Sequence, residues 1–155
     1  MNAMRNQNLY LVEIKEDGAF SEKITDLSDI AKDVCRAFVA IYKETGFQSP
    51  WTGYLAVRDS EVVGICGFKS PPVDGTVEIS YFTFQPFENQ GIATDMARML
   101  LAIAHRAAPE FRVIAHSLAE ENASAAILRK IGFKDVGIIE DPDDGPVRLW
   151  RLANR

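Results

Sequence analysis

Apolar residues recur along this chain with two periods, and the switches between them fall at Gly, Pro, Asn and Asp. Leu9 to Ile14 alternates, which predicts a strand that stops at the Glu16-Asp17-Gly18 turn. The first eight residues carry no such pattern and are expected to be unstructured. Leu27, Ile30, Ala31, Val34, Phe38 and Ile41 then follow the three-and-four spacing of a helix, with Asp29, Lys32, Asp33, Arg36 and Lys43 on its other side. Thr25 or Asp26 suits its cap, and Gly46 its end. Tyr54–Arg58 and Val62–Phe68, separated by Asp59-Ser60-Glu61, predict a hairpin; Thr76–Phe84 predicts a strand that stops at Pro86.

Ala93, Met96, Ala97, Leu100, Ile103, Ala104 and Ala107 form a second helical stripe that closes at Pro109. Arg112–His116 reads as a short strand and Asn122–Ile131 as a helix stopped by Gly132, where a left-handed residue costs glycine nothing sterically. Lys134–Ile139 and Val147–Leu152 are the closing strands. The order β-α-β-β-β-α-β-α-β-β predicts an α/β protein whose mixed sheet carries helices on its faces.

Composition narrows the function. The 155 residues, 47% hydrophobic and 25% charged, suit one core, and no repeat or composition shift divides them, so a single domain over 1–155 is expected. Seventeen Lys+Arg against 22 Asp+Glu leave a net charge of −5, without the basic excess that nucleic-acid binding demands. No apolar leader follows Met1 and no later stretch approaches the roughly 18 apolar residues of a membrane span, so a cytoplasmic protein without a membrane partner is expected. Cys35 and Cys66 stand far apart without a CxxC partner and read as small buried hydrophobes. No Ser-His-Asp set or His/Asp/Glu metal cluster stands out, so neither a covalent intermediate nor a metal is expected.

The most informative stretch is Phe84-Gln85-Pro86-Phe87-Glu88-Asn89-Gln90-Gly91-Ile92-Ala93-Thr94, where a strand ends, a turn with one glycine follows and an amphipathic helix begins. Such a turn aims backbone N–H groups and the positive end of the helix dipole at one point, which is how proteins hold pyrophosphate. Alone it fits a plain loop with a left-handed glycine equally well, and it is neither a Walker loop nor a dinucleotide fingerprint.

A second segment, Glu121-Asn122-Ala123-Ser124 through Lys130-Ile131-Gly132-Phe133, adds to the first. Together they resemble the GNAT superfamily of acetyl-CoA-dependent N-acetyltransferases, in particular the branch that includes ribosomal-protein N-terminal acetyltransferases. In that family an Arg/Gln-x-x-Gly-x-Gly/Ala turn precedes a helix, and an Asn-x-x-Ser or Asn-x-Ser motif and a Lys-x-Gly-Phe helix end follow some thirty residues on. Here the turn falls on Glu88 through Ala93 and the second motif on Asn122, Ser124, Lys130, Gly132 and Phe133. The resemblance implies a GNAT-like mixed, mostly antiparallel sheet flanked by helices. It also implies acetyl-CoA as co-substrate, held at its pyrophosphate by N–H groups from Gln90, Gly91, Ile92, Ala93 and Thr94, with the strand end near Phe84 pairing with the pantetheine arm. Two residues depart from the pattern: Glu88 stands where Arg or Gln is preferred, and Asn89 where Gly is common. Glu88 therefore places a carboxylate within a Debye length, about 8–10 Å, of the expected phosphates.

Transfer to an amine needs that amine neutral, although α-amino groups titrate near 8 and lysine near 10.4. Glu78, on the strand that leads to the glycine turn, is the first candidate for proton acceptor, in a setting expected to be apolar enough to raise its pKa; a half-exposed strand glutamate is the plain alternative. A backbone N–H near Phe84 is a candidate oxyanion donor. Many relatives protonate the departing thiolate with a Tyr of the third helix, but Leu128 occupies that position, which leaves Ser124, a water or no acid. Asn122 is both a good N-cap and the family's contact to the pantetheine or acetyl region. His116 could face the acceptor as base or contact, and His105 reads as solvated. The Gly46–Trp51 loop, with Phe47 and Trp51, is the acceptor wall the resemblance implies, though Trp51 equally suits the core. The Glu140–Asp144 run reads as a solvated turn or as an attractor of cations.

These readings lead to direct acetyl transfer to a primary amine, of a small molecule or a protein N-terminus. A non-catalytic acyl-CoA-binding or protein-interaction module of the same fold is the competing expectation, and a homodimer is left open.

Overall fold

Seven strands form one sheet in the order β1-β2-β3-β4-β5-β7-β6, antiparallel throughout except where β4 and β5 run parallel. The computed structural model describes residues 8–20, 24 and 27–153. The strands are β1 (Tyr10–Glu13), β2 (Gly53–Arg58), β3 (Glu61–Phe68), β4 (Thr76–Thr83), β5 (Arg112–Leu118), β6 (Phe133–Asp141) and β7 (Gly145–Leu152), and the helices α1 (Asp29–Thr45), α2 (Ile92–Ala107) and α3 (Ala123–Lys130). Every expected element is present, in the expected order.

The sheet packs on two cores, with β1–β3 contributing to both and β4–β7 to one. Val12, Leu55, Val57, Ile65 and Phe84 meet Ala31, Cys35 and Tyr42 of α1, while Ala56, Val63, Val77, Ile79, Val113, Ala115 and Trp150 meet Met96, Ala97 and Leu100 of α2 and Ala125 and Leu128 of α3. Both cysteines are free and buried in these cores, and burial pushes the Cys66 thiol pKa up. No helix among the described residues is long and apolar enough to cross a membrane.

Element ends are set by local chemistry. The cap of α1 is Ser28, whose Oγ accepts from Ala31 N at 3.1 Å, so the helix starts at Asp29 rather than Leu27; Thr25 and Asp26 lie outside the described residues, as do the first seven residues. Gly46 ends α1 as expected, its N–H bonding Tyr42 O at 2.8 Å. The β2–β3 hairpin turns on two residues only, Asp59 and Ser60, both at positive φ, so Glu61 joins the strand. Strands β6 and β7 run longer than expected because Asp141 Oδ2 accepts the N–H groups of Asp143 and Asp144 at 3.0 Å each, tightening the acidic run into a turn.

The β4–β5 ladder stops at Ile79 opposite Ala115, while β4 continues against β3 to Thr83 and β5 continues against β7 to Leu118. Past Ile79 the two parallel strands share no ladder, and the sheet is open between them.

Candidate active site

After β4 the chain makes a 3-10 turn over Gln85–Phe87, then passes through Asn89 and Gly91, both left-handed at φ 65° and 77°, into α2. The first α-helical bond runs from Asp95 N to Gly91 O, so the N–H groups of Ile92, Ala93 and Thr94 precede the intrahelical ladder. Gly91 offers no side-chain cap. The helix start is therefore a bare set of donors at the positive end of a dipole.

That start opens on a groove of about 550 Å³ lined by Tyr81, Phe82 and Thr83 of β4, by Phe87, Glu88, Asn89 and Gly91–Thr94, and by Ala123, Ser124 and Ile127 of α3. Thr83 Oγ1 is buried there without a hydrogen-bond partner among the described residues. The two sequence motifs thus meet in one groove. Gln90 turns its side chain to Arg58, whose Nη1 donates to Gln90 Oε1 at 2.8 Å and whose guanidinium lies 5.8 Å from the Phe87 ring centre. Arg58 places a cation by the turn that carries Glu88, and no local pattern flags it at the end of β2.

At α3, Asn122 Oδ1 accepts from Ala125 N at 2.9 Å, so this side chain caps its own helix. Leu128 is fully buried and does not face the groove. A phenol reaches the same place from another element: Tyr81 Oη lies 3.1 Å from Ser124 Oγ. Burial raises the Tyr81 pKa, and the Ser124 hydrogen bond pulls the other way. Sequence reading missed Tyr81 because its position in β4 marks it only as a strand aromatic.

On the opposite sheet face, Glu78 and His116 meet, with Glu78 Oε2 3.3 Å from His116 Nδ1. Asp141 Oδ1 stands 3.9 Å from the same nitrogen, and Lys69 Nζ 2.9 Å from the same Glu78 oxygen, though not aligned as a hydrogen bond. The apolar setting expected for Glu78 is thus replaced by a charged one: β3 ends at Phe68, and Lys69 N bonds Glu78 O at 2.9 Å, bringing the lysine over the carboxylate. Backbone hydrogen bonds from Asp144 and Asp143 hold the Asp141 carboxyl below its ordinary value.

Three expected contacts are not placed at this site. The Phe84 N–H is consumed by Val63 O at 3.0 Å, because the β3–β4 ladder extends past Thr83, and its ring is buried under α1; it offers no oxyanion donor. Trp51 is 5% exposed and packs against Phe68 and Phe111 at 5.1 and 5.8 Å between ring centres. Phe47 stands edge-on to Tyr42 and lines a separate pocket with Glu13, Lys15, Glu16, Asp17 and Ser49. His105 is exposed on α2.

A mixed sheet opened between two parallel strands, with an uncapped helix start at the mouth, fits the acetyltransferase (GNAT) fold. The chain belongs to the acetyltransferase (GNAT) domain family, whose profile matches residues 10–134. No curated sequence matches it. Similar solved structures include a RimL ribosomal L7/L12 alpha-N-protein acetyltransferase in complex with coenzyme A (16% identity, TM-score 0.62, covering 81% of this chain and 72% of that one). A spermidine N-acetyltransferase chimera from Vibrio cholerae and hSSAT is also similar (9%, 0.68, 94% and 95%). So is the acetyl transferase from Salmonella typhimurium that modifies the N-terminal serine of ribosomal protein L7/L12 (13%, 0.64, 95% and 95%). At these identities the likeness is one of fold.

Proposed function

We propose that this protein is an acetyl-CoA-dependent N-acetyltransferase that moves the acetyl group directly to a primary amine, of a protein N-terminus or of a small molecule. The observation that carries the reading is the break in the β4–β5 ladder past Ile79, which falls between Glu78 on one side and the groove-lining Tyr81–Thr83 on the other. The N–H groups of Gly91–Thr94 hold the pyrophosphate, the unpaired edge of β4 beyond Ile79 bonds the pantetheine arm, and Ser124 lies where that arm ends. The fit is supported by the uncapped helix start and by the unpartnered Thr83 hydroxyl.

Glu78 accepts the proton of the incoming ammonium. His116 stands behind it and, with Asp141, stabilises charge as the proton moves on. Lys69 occupies the place beside Glu78 that an acceptor ammonium would take, and its 45% exposed side chain can swing away when an amine arrives. Relatives of similar fold are named for protein N-termini and for spermidine, which supports an amine acceptor without choosing between them.

The test is acetyl-CoA-dependent thiol release over a panel of amines, alongside calorimetric binding of acetyl-CoA. Glu78→Gln is expected to lower turnover on the order of 100-fold while coenzyme affinity stays within about twofold. Unchanged turnover would remove Glu78 from the chemistry. Saturable coenzyme binding with no thiol release from any amine would instead identify a non-catalytic acyl-CoA-binding module.

A further inference from the structure

We infer that Tyr81 is a positioning residue that sets the proton of the Ser124 hydroxyl toward the sulfur of the coenzyme, by donating its own O–H to Ser124 Oγ. This rests on the reading of the groove as the coenzyme site. The two hydroxyls lie 3.1 Å apart although 43 residues separate them, and both line the groove. Each carries one proton. When the phenol proton lies between the two oxygens, the serine proton is left for a third atom.

Intrinsic acidity favours this direction: a phenol, with an ordinary pKa near 10, is a stronger donor than an aliphatic hydroxyl, and Tyr81 stays protonated throughout the neutral range because burial raises its pKa further. Ser124 stands at the second position of α3, where an unrestrained hydroxyl turns to nearby backbone. Tyr81 prevents that turn. The half-buried ring packs on the core, which fixes the phenol oxygen in place. Leu128, fully buried on the next turn of α3, supplies no competing hydroxyl.

Before the transfer, the ammonium proton passes through Glu78 to solvent. In the transfer, the neutral amine nitrogen forms a bond to the carbonyl carbon, the C–S bond breaks with its electron pair going to sulfur, and the second nitrogen proton passes to the emptied Glu78 carboxylate. The sulfur departs as a thiolate that accepts the Ser124 hydrogen bond. No proton need leave Ser124 or Tyr81, so the pair is ready for the next cycle without being recharged.

The experiment follows the ionisation of free CoA bound to the protein, by the ultraviolet absorbance of its thiolate, against pH; no acceptor amine is required. A directed serine hydroxyl stabilises the thiolate, so the bound thiol of the native protein is expected to titrate below its ordinary value near 8.5. Tyr81→Phe keeps the ring and should move that titration upward by roughly one pH unit, with CoA affinity at neutral pH within about twofold. Ser124→Ala should move it at least as far, and the double variant no further than Ser124→Ala. Titration unmoved by Tyr81→Phe would overturn the inference, as would full additivity of the two substitutions. A titration moved by Tyr81→Phe but not by Ser124→Ala would make Tyr81 itself the group at the sulfur, which also overturns it. Failure of the native protein to bind CoA would overturn the coenzyme reading itself and the inference with it, an outcome distinct from all of these.

Discussion

Two helices begin at the same groove, and their first turns are built in opposite ways. At α3, Asn122 bends its side chain onto Ala125 N and satisfies the helix from within. At α2, Gly91 has no side chain to give, and its left-handed backbone leaves the N–H groups of Ile92–Thr94 facing the groove. Orphan donors cost stability unless water or a ligand meets them. The difference teaches that an asparagine cap completes its helix from within, while a left-handed glycine leaves its helix start to water or a ligand. The resemblance offers residues of both turns as coenzyme contacts.

Substitution at each turn sharpens this contrast. The largest effect is expected from Gly91→Val. A β-branched residue at φ 77° adds strain of roughly 1–2 kcal/mol, and any relaxation of the turn moves the donors away from the phosphates. Loss of one or two charge-assisted hydrogen bonds corresponds to acetyl-CoA binding weaker by roughly 10–100-fold in calorimetry. Asn122→Ala should do the reverse, lowering stability by about 1 kcal/mol, read as a fall in Tm of roughly 2–4 °C, while coenzyme affinity stays within about twofold. If Asn122→Ala weakened binding and left Tm alone, the division between the two turns would be wrong.

The contrast also measures how far the sequence could be read. Periodicity located the strands and helices because each faces a core on one side, and glycine and proline marked their ends. Caps were less legible: Thr25, Asp26 and Ser28 all offer an oxygen near the start of α1, and only the geometry at Ala31 N selects Ser28. The site was legible where it is local, as at the glycine turn. It was hidden where it depends on pairing between distant segments. Nothing near Phe84 announces that Val63 takes its N–H, since that requires the β3–β4 register. Glu78 and His116 are likewise brought together by strand order, and Tyr81 and Ser124, and Arg58 and Gln90, by how the helices and their turns sit on the sheet.

Glu88 gives the smallest expected effect, and the one that most directly tests what the α2 turn binds. It lines the groove on an exposed position just before Asn89, where the family pattern has Arg or Gln. A carboxylate some 8 Å from a phosphate charge, in water, opposes it by about 0.5 kcal/mol, which is roughly twofold in affinity. The Arg58 guanidinium, hydrogen-bonded to the neighbouring Gln90, offsets part of that repulsion. Glu88→Gln should therefore tighten acetyl-CoA about two- to threefold at low ionic strength, with the gain shrinking as salt rises toward physiological levels and the Debye length falls to about 8 Å. The acetylated pantetheine arm alone, which lacks the pyrophosphate, makes the control. If the same gain appeared with an analogue that lacks the pyrophosphate, the carboxylate would be acting on some other part of the ligand, and the α2 turn would lose its claim to be the phosphate cradle.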